Sequence, residues 1–117
     1  MKKWTRLIDC KDDYIRRGSV LRIRKNPEGN FDWYPDPFTD FLIFDPVAKG
    51  AYGLMAISGH KSGMIYLIFP SDSTGSAGVG LQCKWLIENW KKWIYPDGTP
   101  DEAWIRGPKI VDFLDSD

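Results

Sequence analysis

The sequence predicts an α+β fold, an antiparallel β-sheet of about five or six strands with one main amphipathic helix packed on it. Two features lead to this prediction. Residues 84–95 repeat apolar side chains with a helical period. Residues 40–69 instead contain three short apolar runs separated by turn residues, which is typical of strands joined by short connections. One apolar helix face and one apolar sheet face bury each other in a layered domain.

The predicted helix covers residues 84–95. At about 100° per residue, one stripe of this helix collects its apolar side chains: Leu86, Ile87, Trp90, Trp93 and Ile94. Such a stripe must be buried, and the sheet is its natural partner. Pro96 ends the helix because it disfavours helical geometry in the residue before it. Trp85 falls outside the stripe, so it either packs against a loop or serves as an exposed anchor for a partner.

The strands are read from alternation and from apolar runs. They cover residues 3–9, 19–25, 40–45, 51–58, 64–69, 103–106 and 110–114. The first is predicted to be an edge strand, and the second alternates as a half-buried strand with one wet side. The three runs between residues 40 and 69 predict an antiparallel meander. Gly53 indicates a bulge or a close contact, and the polar, glycine-rich residues 71–80 are predicted to form a linker to the helix.

Residues 31–39 combine two prolines with four aromatic rings. Proline cannot donate to a sheet ladder, so we predict a loop. Loops normally run over the surface, which makes four rings in one loop unusual. The rings either fold back onto the core or present a contact face.

Charge is unevenly distributed although the net charge is zero. Residues 1–25 carry nine Lys and Arg against three Asp, whereas residues 26–48 carry five acids and no base. The balanced total argues against bulk nucleic-acid binding. The acid-only block would attract a basic partner and accelerate its encounter.

Length and composition place the chain among ordinary globular proteins. Its 117 residues predict a single domain, 1–117. No apolar run approaches the ~20 residues that span a bilayer, and the first residues lack a signal-peptide apolar region. We therefore expect a cytoplasmic protein that does not bind membranes. Cys10 and Cys83 lack metal-ligand spacing, so we expect two free thiols, no metal and no cofactor.

Catalytic signatures are weak. His60 is the only histidine, and Ser58 and Ser62 lie near it, but no nucleophile-elbow sequence surrounds them. Residues 75–80 lack the Gly-Lys-Ser/Thr ending of a phosphate-binding loop. We predict a protein that is not an enzyme, and a small hydrolase using His60 or the clustered acids remains an alternative.

A basic N-terminal patch supplies a second alternative. Its cations lie close to two aromatic residues in the sequence: Arg16, Arg17, Arg22, Arg24 and Lys25, with Trp4 and Tyr14. Such a set could bind single-stranded nucleic acid by stacking. The neighbouring acid block would repel the same ligand, so we expect no nucleic acid as partner.

Several segments together resemble a known family. They are residues 2–24, Asp-Phe-Leu-Ile-Phe-Asp at 40–45, Gly-Leu-Met-Ala-Ile-Ser-Gly-His-Lys-Ser-Gly at 53–63, and Trp-Leu-Ile-Glu-Asn-Trp-Lys-Lys-Trp-Ile-Tyr-Pro at 85–96. They look like the small immunity proteins of bacterial polymorphic toxin systems, and in particular like immunity protein 45. The likeness covers roughly residues 2–97 and rests on general sequence character rather than on a chemical motif.

The resemblance implies a non-enzymatic protein that binds and neutralises the C-terminal toxin domain of a contact-dependent or secreted effector, often a nuclease. No residue roles carry over from the family. From the sequence itself we predict that the toxin-binding residues are Asp32, Trp33, Tyr34, Asp36, Phe38 and Asp40, with Glu28 and Trp85 as secondary candidates. The carboxylates would face Lys and Arg of the toxin, and the rings would anchor the centre. We expect Asp36→Lys combined with Asp40→Lys to weaken toxin binding with little change in melting temperature.

Overall fold

A computed structural model describes residues 4–25, 37–47, 51–74 and 80–107. These residues form a six-stranded antiparallel sheet, a separate two-stranded sheet and several short helical segments, which confirms the α+β prediction. The strands are β1 (Thr5–Arg6), β2 (Tyr14–Ile15), β3 (Val20–Arg24), β4 (Phe38–Phe44), β5 (Gly53–Ala56), β6 (Ile65–Ile68), β7 (Leu81–Gln82) and β8 (Ala103–Arg106). The helical segments are α1 (Cys83–Glu88), a π-helical turn (Trp90–Ile94) and three 3₁₀ turns (Leu7–Asp9, Ser71–Thr74, Pro100–Glu102).

The large sheet has the strand order β1-β8-β3-β4-β5-β6, and all neighbours are antiparallel. Strands β3 to β6 follow one another in space as in sequence, so the predicted meander is confirmed. Strand β8 lies between β1 and β3 and brings residue 105 opposite both residue 5 and residue 21. β1 is an edge strand as predicted, but it spans only two residues because the chain turns into the 3₁₀ helix at Leu7.

One face of the large sheet is covered by the helical segments and forms the core. The sheet contributes Leu21, Ile23, Phe41, Ile43, Leu54, Ala56, Ala103 and Ile105 to it. The covering layer contributes Leu7, Ile15, Leu81, Leu86, Trp90 and Ile94. Three members of the predicted helical stripe, Leu86, Trp90 and Ile94, are almost fully buried, whereas Ile87 and Trp93 are partly buried against the same cluster.

The predicted helix over residues 84–95 is divided at Asn89 into α1 and the π-helical turn. The Asn89 side-chain amide donates to the carbonyl oxygen of Trp85 at 2.9 Å, which the Asn89 backbone N–H also reaches at 2.9 Å. The Trp85 carbonyl thus accepts two hydrogen bonds from Asn89, one of them a local side-chain bond to the residue four positions earlier. The turn then closes with a bond from Tyr95 N–H to the Trp90 oxygen at 3.0 Å, a five-residue spacing.

Strand β4 begins at Phe38, inside the segment predicted as a loop, so the loop assignment of residues 38 and 39 is wrong. Pairing decides their conformation, because Phe38 lies opposite Arg24 in the ladder between β3 and β4. Pro37 precedes the strand, and its carbonyl accepts a hydrogen bond from Lys25 N–H at 2.6 Å. Proline is compatible with a strand entry of this kind.

Gly53 is a position of close packing, one of the two roles the sequence suggested. A Cβ atom there would lie 2.7 Å from Phe44 Cε1 and 2.8 Å from the Leu67 carbonyl oxygen. The register irregularity of this strand pair lies one residue further on, between Leu54 and Met55. Residues 71–74 of the predicted linker form a 3₁₀ turn in which Ser73 and Thr74 are buried. Residues 75–79 of the linker and the predicted strand 110–114 lie outside the described residues. Among the residues described, none of the helices has the length and apolarity to cross a membrane.

Candidate functional site

The face of the large sheet that points away from the core carries a cluster of charged and aromatic side chains. In the ladders of β3, Arg22 lies opposite Asp40 of β4 on one side and opposite Trp104 of β8 on the other. Directly opposed residues of antiparallel strands point to the same face. The core residues Leu21 and Ile23 flank Arg22 and point the other way. We call the surface shared by Arg22, Asp40 and Trp104 the open face.

Arg22 is the centre of this face. Its Nε donates to Asp40 Oδ1 at 2.8 Å, and its Nη2 donates to Asp40 Oδ2 at 3.0 Å. The guanidinium carbon lies 4.3 Å from the ring centroid of Trp4 and 5.5 Å from that of Phe38. The hydrogen bond with Asp40 raises the pKa of Arg22, although burial opposes this. The charged guanidinium is thus held by a bidentate carboxylate and by ring faces.

The aromatic rings of the open face are themselves connected. Phe38 packs edge-to-face on Trp104 with ring centroids 5.8 Å apart. The guanidinium carbon of Arg106 lies 5.4 Å from the ring centroid of Trp4. We call the six residues the arginine–aromatic cluster: Trp4, Arg22, Phe38, Asp40, Trp104 and Arg106. Phe38 is 37% exposed, so part of its ring is available to a partner. Side chains ordered in advance lose little entropy on binding, and aromatic residues and arginine dominate binding hot spots.

The described part of the open face is basic. Arg6 and Arg24 share the face, because they pair with Trp104 and Phe38 respectively. Arg24 also lies 3.5 Å from Glu102. The carboxylate of Asp40 belongs to the acid-only block of the sequence, but here it is paired with Arg22. A partner approaching this part of the face meets arginines and aromatic rings rather than an uncompensated acid.

The predicted toxin-binding residues fall into three groups. Five of them, Glu28, Asp32, Trp33, Tyr34 and Asp36, lie outside the described residues. Phe38 and Asp40 are brought together in the cluster by the alternation of β4. Trp85 lies elsewhere, on α1.

Trp85 is half-buried beneath the core side of the large sheet. Its ring packs edge-to-face on Phe69 at a centroid distance of 5.8 Å and lies 6.0 Å from the ring of Trp93. Its partly buried side chain packs against the core cluster. The contacts with Phe69 and Trp93 favour the packing role that the sequence suggested for Trp85.

Sequence reasoning missed Trp104 and Arg106 as members of the site. The signal was present in the alternation of residues 103–106, which predicts Ala103 and Ile105 on one face and Trp104 and Arg106 on the other. The sequence alone does not show that β8 lies beside β3 in the sheet. The structure also separates the predicted basic patch: Trp4 stacks on Arg22, but Tyr14 lies in the two-stranded sheet, and Arg17 lies 3.5 Å from Asp45.

The residues considered for catalysis have structural partners. Ser58 Oγ accepts a hydrogen bond from Asp40 N–H at 2.9 Å, which ties the end of β5 to β4. Ser62 Oγ donates to the Gly59 carbonyl at 2.7 Å in the turn before β6, which also contains the exposed His60. Within residues 4–25, 37–47, 51–74 and 80–107, no three His, Cys, Asp or Glu side chains are grouped so that they could hold a metal ion.

Comparison with known proteins identifies the family. The family model described as Immunity protein 45 matches residues 7–113. The match includes β3, β4 and β8 and extends beyond residue 97, where the resemblance read from the sequence ended. No curated protein and no solved structure matches the chain. Proteins of an immunity family neutralise toxins, so the partner that the family implies is a toxin. The chain belongs to the immunity protein 45 family.

Proposed function

We propose that this protein neutralises a nuclease toxin by binding the C-terminal toxin domain of a larger contact-dependent effector of a polymorphic toxin system. Binding takes place in the cytoplasm and requires no catalysis by the immunity protein. The observation that carries this proposal is the family match over residues 7–113. The arginine–aromatic cluster supports it, because a rigid set of rings and cations with one partly exposed phenylalanine suits protein recognition.

We assign the interface to the acidic aromatic residues predicted from the sequence: Asp32, Trp33, Tyr34, Asp36, Phe38 and Asp40. Glu28 and Trp85 remain secondary candidates, and Trp85 lies apart from Phe38 and Asp40, on α1. The partly exposed ring of Phe38 supports this assignment, whereas the Asp40 carboxylate is already paired with Arg22. Both belong to the strand that follows residues 26–36, and both contact Arg22 on the open face. The acids that precede them in the chain would meet the basic substrate cleft of a nuclease.

A co-expression experiment tests the function. The C-terminal domain of the large protein encoded immediately upstream is induced with and without this chain. We expect growth to stop when the domain is expressed alone, to resume when the chain is present, and the two proteins to co-purify. A neighbour that is harmless, or that remains toxic in the presence of the chain, contradicts the proposal.

The assigned interface is tested separately from the function. Asp32→Lys with Asp36→Lys removes two acids that carry the proposed attraction. We expect slower association with the toxin, because complementary charge mainly accelerates encounter. Asp9→Lys with Asp72→Lys is the matched control of equal charge change, since both aspartates are exposed, in the 3₁₀ turns Leu7–Asp9 and Ser71–Thr74. Equal association rates for the two variants would remove residues 32 and 36 from the interface.

The second candidate function is binding of single-stranded nucleic acid. One observation favours it: the stack of Arg22 on Trp4, with Arg6, Arg24 and Arg106 on the same face. Aromatic rings beside cations bind bases by stacking, and such binding weakens steeply with salt. Fluorescence anisotropy with a labelled oligonucleotide tests this. Salt-sensitive binding lost in Trp4→Ala would favour the module, and binding unaffected by Trp4→Ala would exclude this face.

A further inference from the structure

Strand β6 forms the outer edge of the large sheet as far as the structure describes it. Its side chains are apolar yet exposed: Ile65 is 57% exposed, while Tyr66 and Ile68 are each 40% exposed. Met64, directly before the strand, is 57% exposed. Edge strands are usually protected by charged residues, prolines or a covering segment, but residues 64–69 contain no charge and no proline. This strand therefore has the properties of an edge that pairs with another chain.

A cavity of about 220 Å³ adjoins the start of this edge on the core side of the sheet. Phe41, Ile65, Tyr66, Ile94 and Tyr95 supply much of its apolar wall. The wall is held in place, because Tyr66 Oη donates to the Ile94 carbonyl at 2.5 Å and the rings of Phe41 and Tyr66 lie 5.0 Å apart. Small-molecule sites are typically ~300 Å³ or larger. This cavity is the size for one or two protein side chains.

The charged residues at the cavity are cations. Lys25 from the end of β3 and Lys61 from the turn before β6 both line it, and its described lining contains no acid. A ligand that places an apolar group in the cavity therefore brings its own carboxylate into a favourable position. The backbone N–H of Lys25 donates to the Pro37 carbonyl, directly before β4. The cavity therefore lies at the end of the sheet where β3 ends and β4 begins.

We propose that β6 and this cavity bind an extended segment of the toxin. The segment adds a strand to the open edge of β6, inserts one apolar side chain into the cavity and places a carboxylate near Lys25 and Lys61. Main-chain hydrogen bonds then supply affinity, and the cavity supplies specificity. This inference rests on the proposed function and names a second contact surface for the same partner.

A second copy of this chain fits the surface less well. Pairing through a strand of four residues alone covers far less than the ~800 Å² per partner of a standard interface, and only the toxin is proposed to add a second contact surface. A symmetric pair would also present the same surface to itself. Its described charges at the cavity are lysines, so it would bring no acid to them. A toxin segment with its own acid and apolar side chain satisfies both requirements.

The test compares toxin affinity of variants by titration calorimetry. Ile65→Lys places a charge on the exposed edge, and Ile8→Lys is the matched control because Ile8 is 43% exposed in the 3₁₀ turn Leu7–Asp9. We expect Ile65→Lys to weaken binding by about thirtyfold or more, the range of an interface hot spot, and Ile8→Lys to leave it unchanged. Equal affinities of the two variants would overturn the proposal.

Two further measurements separate the parts of the inference. Ala56→Met extends a side chain into the cavity, so we expect weaker toxin binding from a protein that still melts cooperatively. Unchanged affinity of this variant would overturn insertion into the cavity. Amide hydrogen exchange of residues 65–68 must slow when toxin binds, and unchanged exchange would overturn strand addition.

Failure of the inference differs from failure of the proposed function. If the wild-type chain does not bind the toxin, the function itself is wrong and the inference falls with it. If the wild type binds and Ile65→Lys binds equally well, only the inference is wrong. Sedimentation of the free chain tests whether a second copy of the chain binds the β6 edge. A dimer that Ile65→Lys dissociates would assign the edge to a second copy and overturn the proposal.

Discussion

Arg22 and Asp40 face each other across β3 and β4 and are joined by two hydrogen bonds of 2.8 and 3.0 Å. The Arg22 side chain also lies over Trp4 and Phe38, so the pair is part of a packed surface rather than an isolated ion pair in water. Asp40→Lys would place two cations opposite each other. The double substitution at residues 36 and 40 is therefore expected to lower the melting temperature, which revises the expectation from sequence.

The contribution of the Arg22–Asp40 pair to the free energy of unfolding is measured with the variant Asp40→Asn. Because the bidentate geometry is good but both side chains retain some exposure, we expect the free energy of unfolding to fall by about 1 kcal/mol. Glu102→Gln is the control, since Glu102 is 42% exposed and lies 3.5 Å from Arg24. Urea denaturation should show almost no change for Glu102→Gln. Equal losses in both variants would indicate that the Arg22 contact is no stronger than an ordinary surface pair.

Gly53→Ala should be clearly destabilising. The new Cβ would lie 2.8 Å from the Leu67 carbonyl oxygen, a backbone atom that cannot move without disturbing the ladder between β5 and β6. Overpacking of this kind costs about 1–3 kcal/mol. At Gly107 a Cβ would meet nothing within 4 Å. Thermal unfolding should therefore show a large fall in melting temperature for Gly53→Ala and almost none for Gly107→Ala. Similar melting temperatures of the two variants would contradict the close packing.

Phe38→Ala and Trp85→Ala should separate binding from stability. Phe38 is 37% exposed on the open face, so its loss should weaken toxin binding and change stability little. Trp85 packs against Phe69 and Trp93, so its loss should lower the free energy of unfolding by about 2 kcal/mol. Calorimetric titration and urea denaturation of both variants give the comparison. A Trp85→Ala variant of full stability and reduced affinity would restore Trp85 as an anchor.

Cys83 should be unreactive at neutral and mildly alkaline pH. Burial, followed by the neighbouring Cys10, raises the pKa of the Cys83 thiol to about 12 from its ordinary value of 9.0. Only the thiolate is nucleophilic, so iodoacetamide at pH 8 should modify Cys83 far more slowly in the folded protein than in urea. Mass spectrometry of the alkylated peptides measures this. Rapid alkylation of Cys83 in the native protein would contradict the buried environment.

The raised pKa of the Cys83 thiol also predicts that the stability of the fold depends on pH. The unfolded chain begins to lose the Cys83 proton near pH 9, whereas the folded protein retains it to about pH 12, so stability is fully present below pH 9 and falls between these values. Burial also raises the pKa of Tyr66 above 10.0, which acts in the same direction. Cys83→Ala should reduce the slope of unfolding free energy against pH in this window. An unchanged slope would assign the whole effect to other groups.

Local patterns predicted the core better than the site. Leu86, Trp90 and Ile94 were predictable because burial follows the helical period. The break at Asn89 was not, because apolar periodicity carries no information on the change to the five-residue hydrogen-bond spacing of the π-helical turn. The most apolar strand, 64–69, was recognised as a strand, but composition cannot say that it lies at an exposed edge.

The site depends on register, which alternation within one strand does not contain. Arg22 and Asp40 were assigned to separate features of the sequence, a basic patch and an acidic block. Only the antiparallel pairing of β3 with β4 places them opposite each other. Trp104 joins them through β8, which is remote in sequence. Phe38 was predicted as a contact residue from composition, and the structure adds its ring contact with Trp104.

The position of β8 between β1 and β3 also determines when the open face can form during synthesis of the chain. Residue 22 cannot meet residue 104 until the 82 residues that lead to position 104 have been added (104 − 22). At roughly 5–20 residues per second, β3 waits several seconds with one side unpaired. The open face is assembled only after Trp104 and Arg106 have left the ribosome. The open face, which we propose contributes to toxin binding, is therefore among the last described surfaces to form.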